Sequence, residues 1–350
     1  MLLVVFGAGA SFDSVPHLRP TEVLPAVRPA MQNDHFENDR LPLANQLFDT
    51  RPMFVQAMQQ FPDCLAVIPQ LRKEGVIVEA ELATIRAQAR TYSRAHRELA
   101  AIIFYIHFAI WECQKRWNAR HRGITNYATL VRELERWRTE SNEDVWFVSF
   151  NYDTMLEAAM EQVLSSTFNE FDRYISHNHY SLVKLHGSIN WGREVESIRA
   201  VSPEQLIAAS SPNLVITNRF RLVEQHPMRL VGGGIGFPAL SIPVQNKDEF
   251  SCPQEHVAAL GNILTDVTKV IAIGWRATEA DFLAMLSARI TGLHGKPQLF
   301  VVSGDQKGAD ETKANLTKAF PAFENYPPAT DGFSGLISNP DRLSEFLRAS

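Results

Sequence analysis

Cysteine is scarce in this sequence. Cys64, Cys113 and Cys252 are the only three among 350 residues, and no two form a CxxC pair. Three cysteines cannot complete an all-cysteine zinc site with four ligands, and one must stay unpaired, so neither such a zinc module nor a disulfide framework is expected. A reducing cytoplasm is the compartment this usage points to. Positive charge is not in excess either: 34 Lys and Arg against 39 Asp and Glu leave a net charge of −5. A protein that tracks phosphates by bulk charge is thereby disfavoured, and direct nucleic-acid binding is not expected. No apolar run reaches the roughly 18 residues a membrane span needs. The nearest stretch, Ala100–Cys113, is interrupted by Tyr105, His107 and Glu112 and reads as a buried helix. Several catalytic motifs are missing too. There is no HExxH and no GxSxG, and Gly232-Gly233-Gly234 lacks the Gly-Lys-Ser/Thr ending of a phosphate-binding P-loop. His177-Asn178-His179 spells HNH but lacks the further histidines or acids of such a nuclease, and reads as loop polarity.

What is present is ample core material, 45% hydrophobic with 10% aromatic residues. At roughly 100–200 residues per domain, one large domain or two smaller ones are expected. Leu2–Phe6 is a short apolar run ending at Gly7, which reads as a buried parallel strand, not a secretion signal. Phe12–Asp39, with Pro16, Pro20, Pro25 and Pro29, reads as a long loop and a candidate lid. Helical pattern starts within Leu43–Gln60. It is strongest over Glu79–Arg120, as one helix or two, and returns in Tyr127–Glu140 with Leu130, Leu134 and Trp137 on one stripe. A helical insertion subdomain is therefore expected at about 41–140, interrupting a sheet domain made of 1–40 and 141–350.

Strands are expected at Val145–Phe150, Leu182–Leu185, Ala239–Val244, Lys269–Ile273 and Gln298–Val302. Helices are expected after Asp153 to about Leu164, over His256–Asp266 and Thr278–Ile290, and at Asp341–Arg348. Ser197–Pro227 gives no clear pattern, and Val231–Gly236 reads as a flexible loop. Strands that alternate with helices and end in glycine or polar turns imply an α/β fold: a Rossmann-like parallel sheet with helices on both faces, plus the helical insertion.

Four segments at strand ends could carry chemistry. Gly7-Ala8-Gly9-Ala10-Ser11 lets the chain turn sharply and lets a pyrophosphate approach N–H groups, although glycine in a strand-to-helix turn often serves packing alone. Asn151 and Asp153 follow a strand; the amide can donate and accept and the carboxylate can hold ribose hydroxyls, while Asp153 is equally suited to cap the next helix. His186, in Lys184-Leu185-His186-Gly187-Ser188, can move a proton near neutral pH or can simply be a histidine satisfied by backbone groups. In Ile273–Asp281, Gly274 ends a strand, and Thr278 with Asp281 would form a capping-box-like start to a helix. Arg86, Arg90, Arg94 and Arg97 fall on roughly one helical face, as a solvated stripe or a docking surface. The apolar positions from Leu99 to Trp117 would bury against the sheet domain or form an oligomer interface.

Taken in order, FGAGAS, SFNYD, KLHGS and IGWRATEAD resemble the SIR2-like family, the sirtuin-type NAD-binding Rossmann fold. The likeness spans most of the chain outside the helical insertion and 195–230. It implies that NAD is consumed as a substrate. Gly7, Ala8, Gly9 and Ser11 would contact the pyrophosphate, Asn151 and Asp153 would sit by the nicotinamide ribose, and His186, followed by Gly187, would be catalytic. Gly274 with Trp275 and Asp281 would hold the adenosine end, flanked by Ser303.

Family deacylases insert a zinc module with two CxxC pairs after the catalytic histidine, and only Cys252 lies there in this chain. The resemblance is therefore to the zinc-less bacterial antiphage-defence branch that hydrolyses NAD to nicotinamide and ADP-ribose. It implies no zinc, and either a homo-oligomer or a partner defence protein such as an ATPase or an Argonaute-like protein. A non-catalytic subunit that binds NAD or ADP-ribose is the alternative, and an NAD-dependent deacylase is disfavoured.

Overall fold

The computed structural model describes residues 1–14, 47–48, 52–72, 78–121, 123–196, 198–241, 250–290 and 295–349. Ten strands lie among the described residues: β1 (Leu2–Phe6), β2 (Val145–Ser149), β3 (Tyr180–Lys184), β4 (Gly187–Val195), β5 (Ile216–Gln225), β6 (Arg229–Leu230), β7 (Phe237–Leu240), β8 (Lys269–Ile273), β9 (Gln298–Val302) and β10 (Glu324–Asn325). β1, β2 and β3 are buried along their whole length, and β8 and β9 at all but their first residue. Near-continuous apolar runs of this kind are what a parallel sheet covered on both faces requires. These strands and β10 form one six-stranded sheet in the order β10-β9-β8-β1-β2-β3, and every pairing in it is parallel.

From β1 the sheet grows to β3 on one side, and the chain then returns to β1 and continues through β8, β9 and β10 on the other. That is the doubly wound order of a Rossmann-type sheet, with its topological switch point between β1 and β8. Ligands in such sheets collect outside the carboxyl ends of the strands, at the point where the strand order reverses.

The second sheet, β6-β5-β4-β7, is antiparallel and grows from the segment between β3 and β8. It packs on helices instead of joining the first sheet. The Ser93–His121 helix, with Pro52–Gln59, Val78–Ala89 and a 3-10 turn at Pro62–Ala66, shares a core with Ile189, Leu206, Met228, Phe237 and Leu240. Phe104 meets Phe237 edge to face at 5.5 Å. The Asn126–Ser141 helix contributes Leu130, Val131, Leu134 and Trp137 to the core of the parallel sheet.

Several expectations change on contact with the fold. Phe12, Asp13 and Ser14 are the last turn of an Ala8–Ser14 helix and not the start of a loop; the remainder of that expected lid, 15–39, lies outside the described residues, as does 43–46. The Glu79–Arg120 signal is two helices, broken at 90–92, so the four arginines do not share one face. The unreadable Ser197–Pro227 holds the Pro203–Ala208 helix and β5. Val231–Gly236 is a tight hairpin end, with Leu230 N–H donating to Gly234 O at 3.0 Å and Gly233 N–H to Leu230 O at 2.9 Å. His179 of the HNH triplet places Nδ1 2.8 Å from Asp144 Oδ1 on the surface. No helix among the described residues is long and apolar enough to cross a membrane.

Where the Ser93–His121 helix meets the second sheet, three rings stack. His107 lies 5.1 Å from His226, and Trp111 lies 4.4 Å from His226. Since Ile189 O can only accept, His107 Nε2 is the donor in their 2.6 Å bond. Burial lowers His107 to about 4, and burial reinforced by His107 lowers His226 to about 3, so both are neutral at pH 7. Burial also lowers His96 and His256.

An unfolded chain takes up the His107 and His226 protons below about pH 6.5, while the folded one does not take them up until about pH 4 and about pH 3. The stability they protect is therefore complete above pH 6.5 and falls as the pH drops from there towards 4. Thermal unfolding is predicted to show a midpoint that declines between pH 7 and pH 5, with a flatter decline in His107→Gln, which keeps a donor for Ile189 O. A midpoint that stays level or rises on acidification would contradict this.

Candidate active site at the switch point

The carboxyl ends of β1 and β8 meet as two glycine turns packed backbone against backbone. Gly7 N–H donates to Ile273 O at 3.1 Å, Gly9 N–H to Gly274 O at 3.0 Å, and Gly274 N–H to Val302 O at 3.0 Å. A Cβ on Gly7 would sit 2.5 Å from Gly274 O. Gly274 has φ +57°, and a Cβ there would sit 2.3 Å from Ala10 N. Glycine is thus required by packing at both positions. The N–H groups of Gly9 and Ala10 are occupied within the protein, Ala10 donating to Gly7 O at 3.0 Å. The turn is therefore not an open row of donors; what it offers a ligand is a smooth exposed ridge at Ala8 and Gly9.

The loop after β2 locks onto this turn. Asn151 Nδ2 lies 2.8 Å from Gly7 O, 2.9 Å from Ser11 Oγ and 3.1 Å from Tyr127 OH. Ser11 Oγ donates to Asp153 Oδ2 at 2.7 Å and lies 2.9 Å from Tyr127 OH. Asp153 Oδ1 accepts from Met155 N at 3.1 Å, so this carboxylate both starts the Met155–Leu164 helix and closes the network. Asn151, Asp153, Ser11 and Tyr127 are all buried. Burial, then the Asp153 charge, pushes the Tyr127 phenol well above its ordinary value, so it stays a neutral hydroxyl.

Beneath the loop, Lys184 is fully buried; its Nζ donates to the Asp153 carbonyl and to Glu157 Oε1 at 2.8 Å. Burial raises the Glu157 carboxyl while the Lys184 charge pulls it down. Tyr127, Lys184 and Glu157 were not picked out by sequence as site residues. A tyrosine or lysine on a buried face must find polar partners, which is a signal for Tyr127 and Lys184 but does not say which partners.

His186 follows β3 and is 6% exposed. Its ring meets Phe150 edge to face at 4.8 Å and lies 6.3 Å from Tyr152, so the residues on either side of Asn151 both carry rings to the imidazole. Gly187 has φ +82°, and a Cβ there would lie 1.8 Å from Ala239 O, because β7 and the 250–252 segment close on it. Ser241 N–H donates to His186 O at 2.9 Å. Trp275 stacks on Phe150 at 5.3 Å and donates from Nε1 to Glu279 Oε2 at 2.5 Å.

The capping expected of Thr278 and Asp281 is not found. The helix starts two residues later, at Ala280, and the Glu279 carboxylate folds back onto Trp275 and Thr278 N instead. Asp281 is exposed and lines a cleft of about 730 Å³ that includes Arg86, Arg193, Phe237, Ser241 and Cys252 and lies beyond the segments that close on His186 and Gly187. None of Gly7, Ser11, Asn151, Asp153 and His186 lines that cleft. Ser303 is held one strand out, its N–H donating to Ala329 O at 2.9 Å. The fold thus gathers Gly7, Ala8, Gly9, Ser11, Asn151, Asp153, Gly274 and Trp275, with His186 and Gly187 joined through Phe150, and leaves Asp281 and Ser303 at the margin. Among the described residues no three His, Cys, Asp or Glu side chains form a group that could hold a metal ion.

No family model matches the sequence, and no curated protein does. A solved structure of a mutant Sir2 homologue in complex with 2′-O-acetyl ADP ribose is similar at 13% sequence identity and a TM-score of 0.40, covering 100% of this chain and 94% of that one. A likeness at that level carries no correspondence between residues.

The backbone contact at Gly274 predicts that Gly274→Ala lowers stability by roughly 1–3 kcal/mol, because a Cβ there has both the wrong φ and a backbone atom in its way. Denaturant titration measures it. An unchanged midpoint would mean that the two turns do not touch as described.

Proposed function

We propose that the chain binds NAD across the carboxyl ends of β1, β2, β3 and β8 and hydrolyses the bond between nicotinamide and ribose, giving nicotinamide and ADP-ribose. One observation carries the reading. Asn151 grips the Gly7 turn with its side chain while its two neighbours, Phe150 and Tyr152, carry rings to His186, so one three-residue segment after β2 is bonded to the glycine turn and packed on the imidazole, which supports a single site. The order of the four sequence motifs along the chain supports it.

Nicotinamide leaves as a neutral ring from a cationic one, so no strong acid is needed. The site must orient a water and steady an oxocarbenium-like ribose. The donor capacity of Asn151 Nδ2 is already spent on the turn, which makes the amide oxygen the part that accepts a hydrogen bond from the water or a ribose hydroxyl. The water oxygen bonds to the ribose carbon as the carbon–nitrogen bond breaks, its electron pair stays on nicotinamide, and the water's proton passes to His186. A base or a positioning group contributes roughly 10²–10⁴-fold.

In this reading Ala8, Gly9 and Ser11 meet the pyrophosphate, Asp153 the nearer ribose, and Gly274, Trp275 and Ser303 the adenosine end. Asp281 lies at the margin of the adenosine end, on the neighbouring cleft. NAD is the substrate and zinc has no step to perform. The motif resemblance extends the reading to an effector of antiphage defence that depletes NAD when a partner or oligomerisation activates it.

A second reading, a silent NAD- or ADP-ribose-binding subunit, is favoured by the engaged N–H groups of Gly9 and Ala10 and by the near-complete enclosure of His186. Nicotinamide release from NAD, followed with and without proteins encoded beside this one, separates the two. Hydrolysis predicts release that falls at least about a hundredfold in Asn151→Ala and in His186→Ala. Full activity in both variants would refute those roles, and calorimetric binding without turnover under every partner condition would support the silent subunit.

A further inference from the structure

Two polar side chains on one side of the Ser93–His121 helix, His107 and Gln114, bond to backbone at or next to the switch-point loop. Gln114, which is buried, meets Thr154 at two points. Its Oε1 accepts from Thr154 N at 2.7 Å and its Nε2 donates to Thr154 Oγ1 at 2.6 Å. Seven residues earlier, His107 holds Ile189 O, while Ile189 N–H donates to Tyr152 O at 2.9 Å. Backbone on both sides of Asp153 is therefore tied to one helix that belongs to the helical layer and not to the parallel sheet.

We propose that Gln114 is a positioning residue for the site. Its two-point grip on Thr154 fixes the Asn151–Thr154 loop in the geometry that aims Asn151 and Asp153 at the glycine turn, and the Ser93–His121 helix is the route by which the helical layer sets that loop. This rests on the loop being the NAD site proposed above. The Thr154 side chain does not cap the Met155–Leu164 helix, whose first N–H is served by Asp153, so the pair is free of the ordinary reason for a threonine at this position. Displacement of the helix by a fraction of a hydrogen-bond length is passed directly to the residue after Asp153, because a bidentate amide pair leaves little slack.

Three forms of the whole chain test this: wild type, Gln114→Leu, which keeps the volume and loses both bonds, and Gln114→Glu, which keeps two oxygens that can accept from the Thr154 N–H and hydroxyl. Amide exchange of the 150–155 segment is read against β8 as an internal reference, and ADP-ribose affinity is read by calorimetry. The expected result is exchange faster by about tenfold over 150–155 in Gln114→Leu with β8 unchanged, ADP-ribose binding weaker by about tenfold, and both largely restored in Gln114→Glu. Unchanged exchange over 150–155, or exchange that rises equally in β8, would overturn the proposal. Should the wild type bind no ADP-ribose, the NAD reading fails, and the exchange comparison still decides whether Gln114 sets the loop.

Discussion

The arrangement depends on one contact, the backbone of the Gly7–Ala10 turn pressed against Gly274. Side chains are excluded there by distance, since a Cβ on either Gly7 or Gly274 would fall within about 2.5 Å of backbone atoms. The contact brings the carboxyl ends of β1 and β8 together at the point where the sheet reverses its direction of growth. Everything else at the site is attached to it. Asn151 reaches the turn through Gly7 O, Asp153 through Ser11, and Trp275 continues from Gly274 to stack under Phe150.

That dependence gives the polar residues two duties. Asn151 and Ser11 are structural struts before they are ligands, because each uses a donor to hold the turn. Asp153 caps a helix and closes the network with its two oxygens. The structural and the functional readings of these residues are therefore compatible: a group that struts the turn is also held in one orientation, which is what preorganised chemistry requires. Beneath them the Lys184–Glu157 pair, buried and bonded to the Asp153 carbonyl, fixes the same loop from below.

The parallel sheet was legible in the sequence because burial on both faces leaves continuous apolar runs. Leu2–Phe6, Val145–Ser149, Lys269–Ile273 and Gln298–Val302 emerge within a residue of where their composition places them. β5 was not legible. It is half exposed, carries Asn218, Arg219, Arg221, Glu224 and Gln225, and pairs irregularly, so it lacks a clean alternation. The strand-end motifs announced which residues sit at the carboxyl edge, since glycine and polar residues after an apolar run are local signals. Their partners were hidden because they are remote in sequence: Asn151 and Gly7 are 144 residues apart, and Gln114 and Thr154 are 40 apart. The Thr278 cap failed for a local reason, a Glu279 carboxylate that found the Trp275 indole N–H.

The helical layer shares its core with one side of the second sheet, while Trp191 and Ala239 of that sheet are buried in the core of the parallel sheet, so the second sheet links the two. The most direct measurement of the account is an experimental structure of the protein with ADP-ribose. It predicts a pyrophosphate lying over Ala8 and Gly9, with the terminal ribose between Asn151 and His186. Ligand seated only in the cleft beside Arg86 and Phe237, or none at the ends of β1 and β8 at saturating concentration, would contradict it.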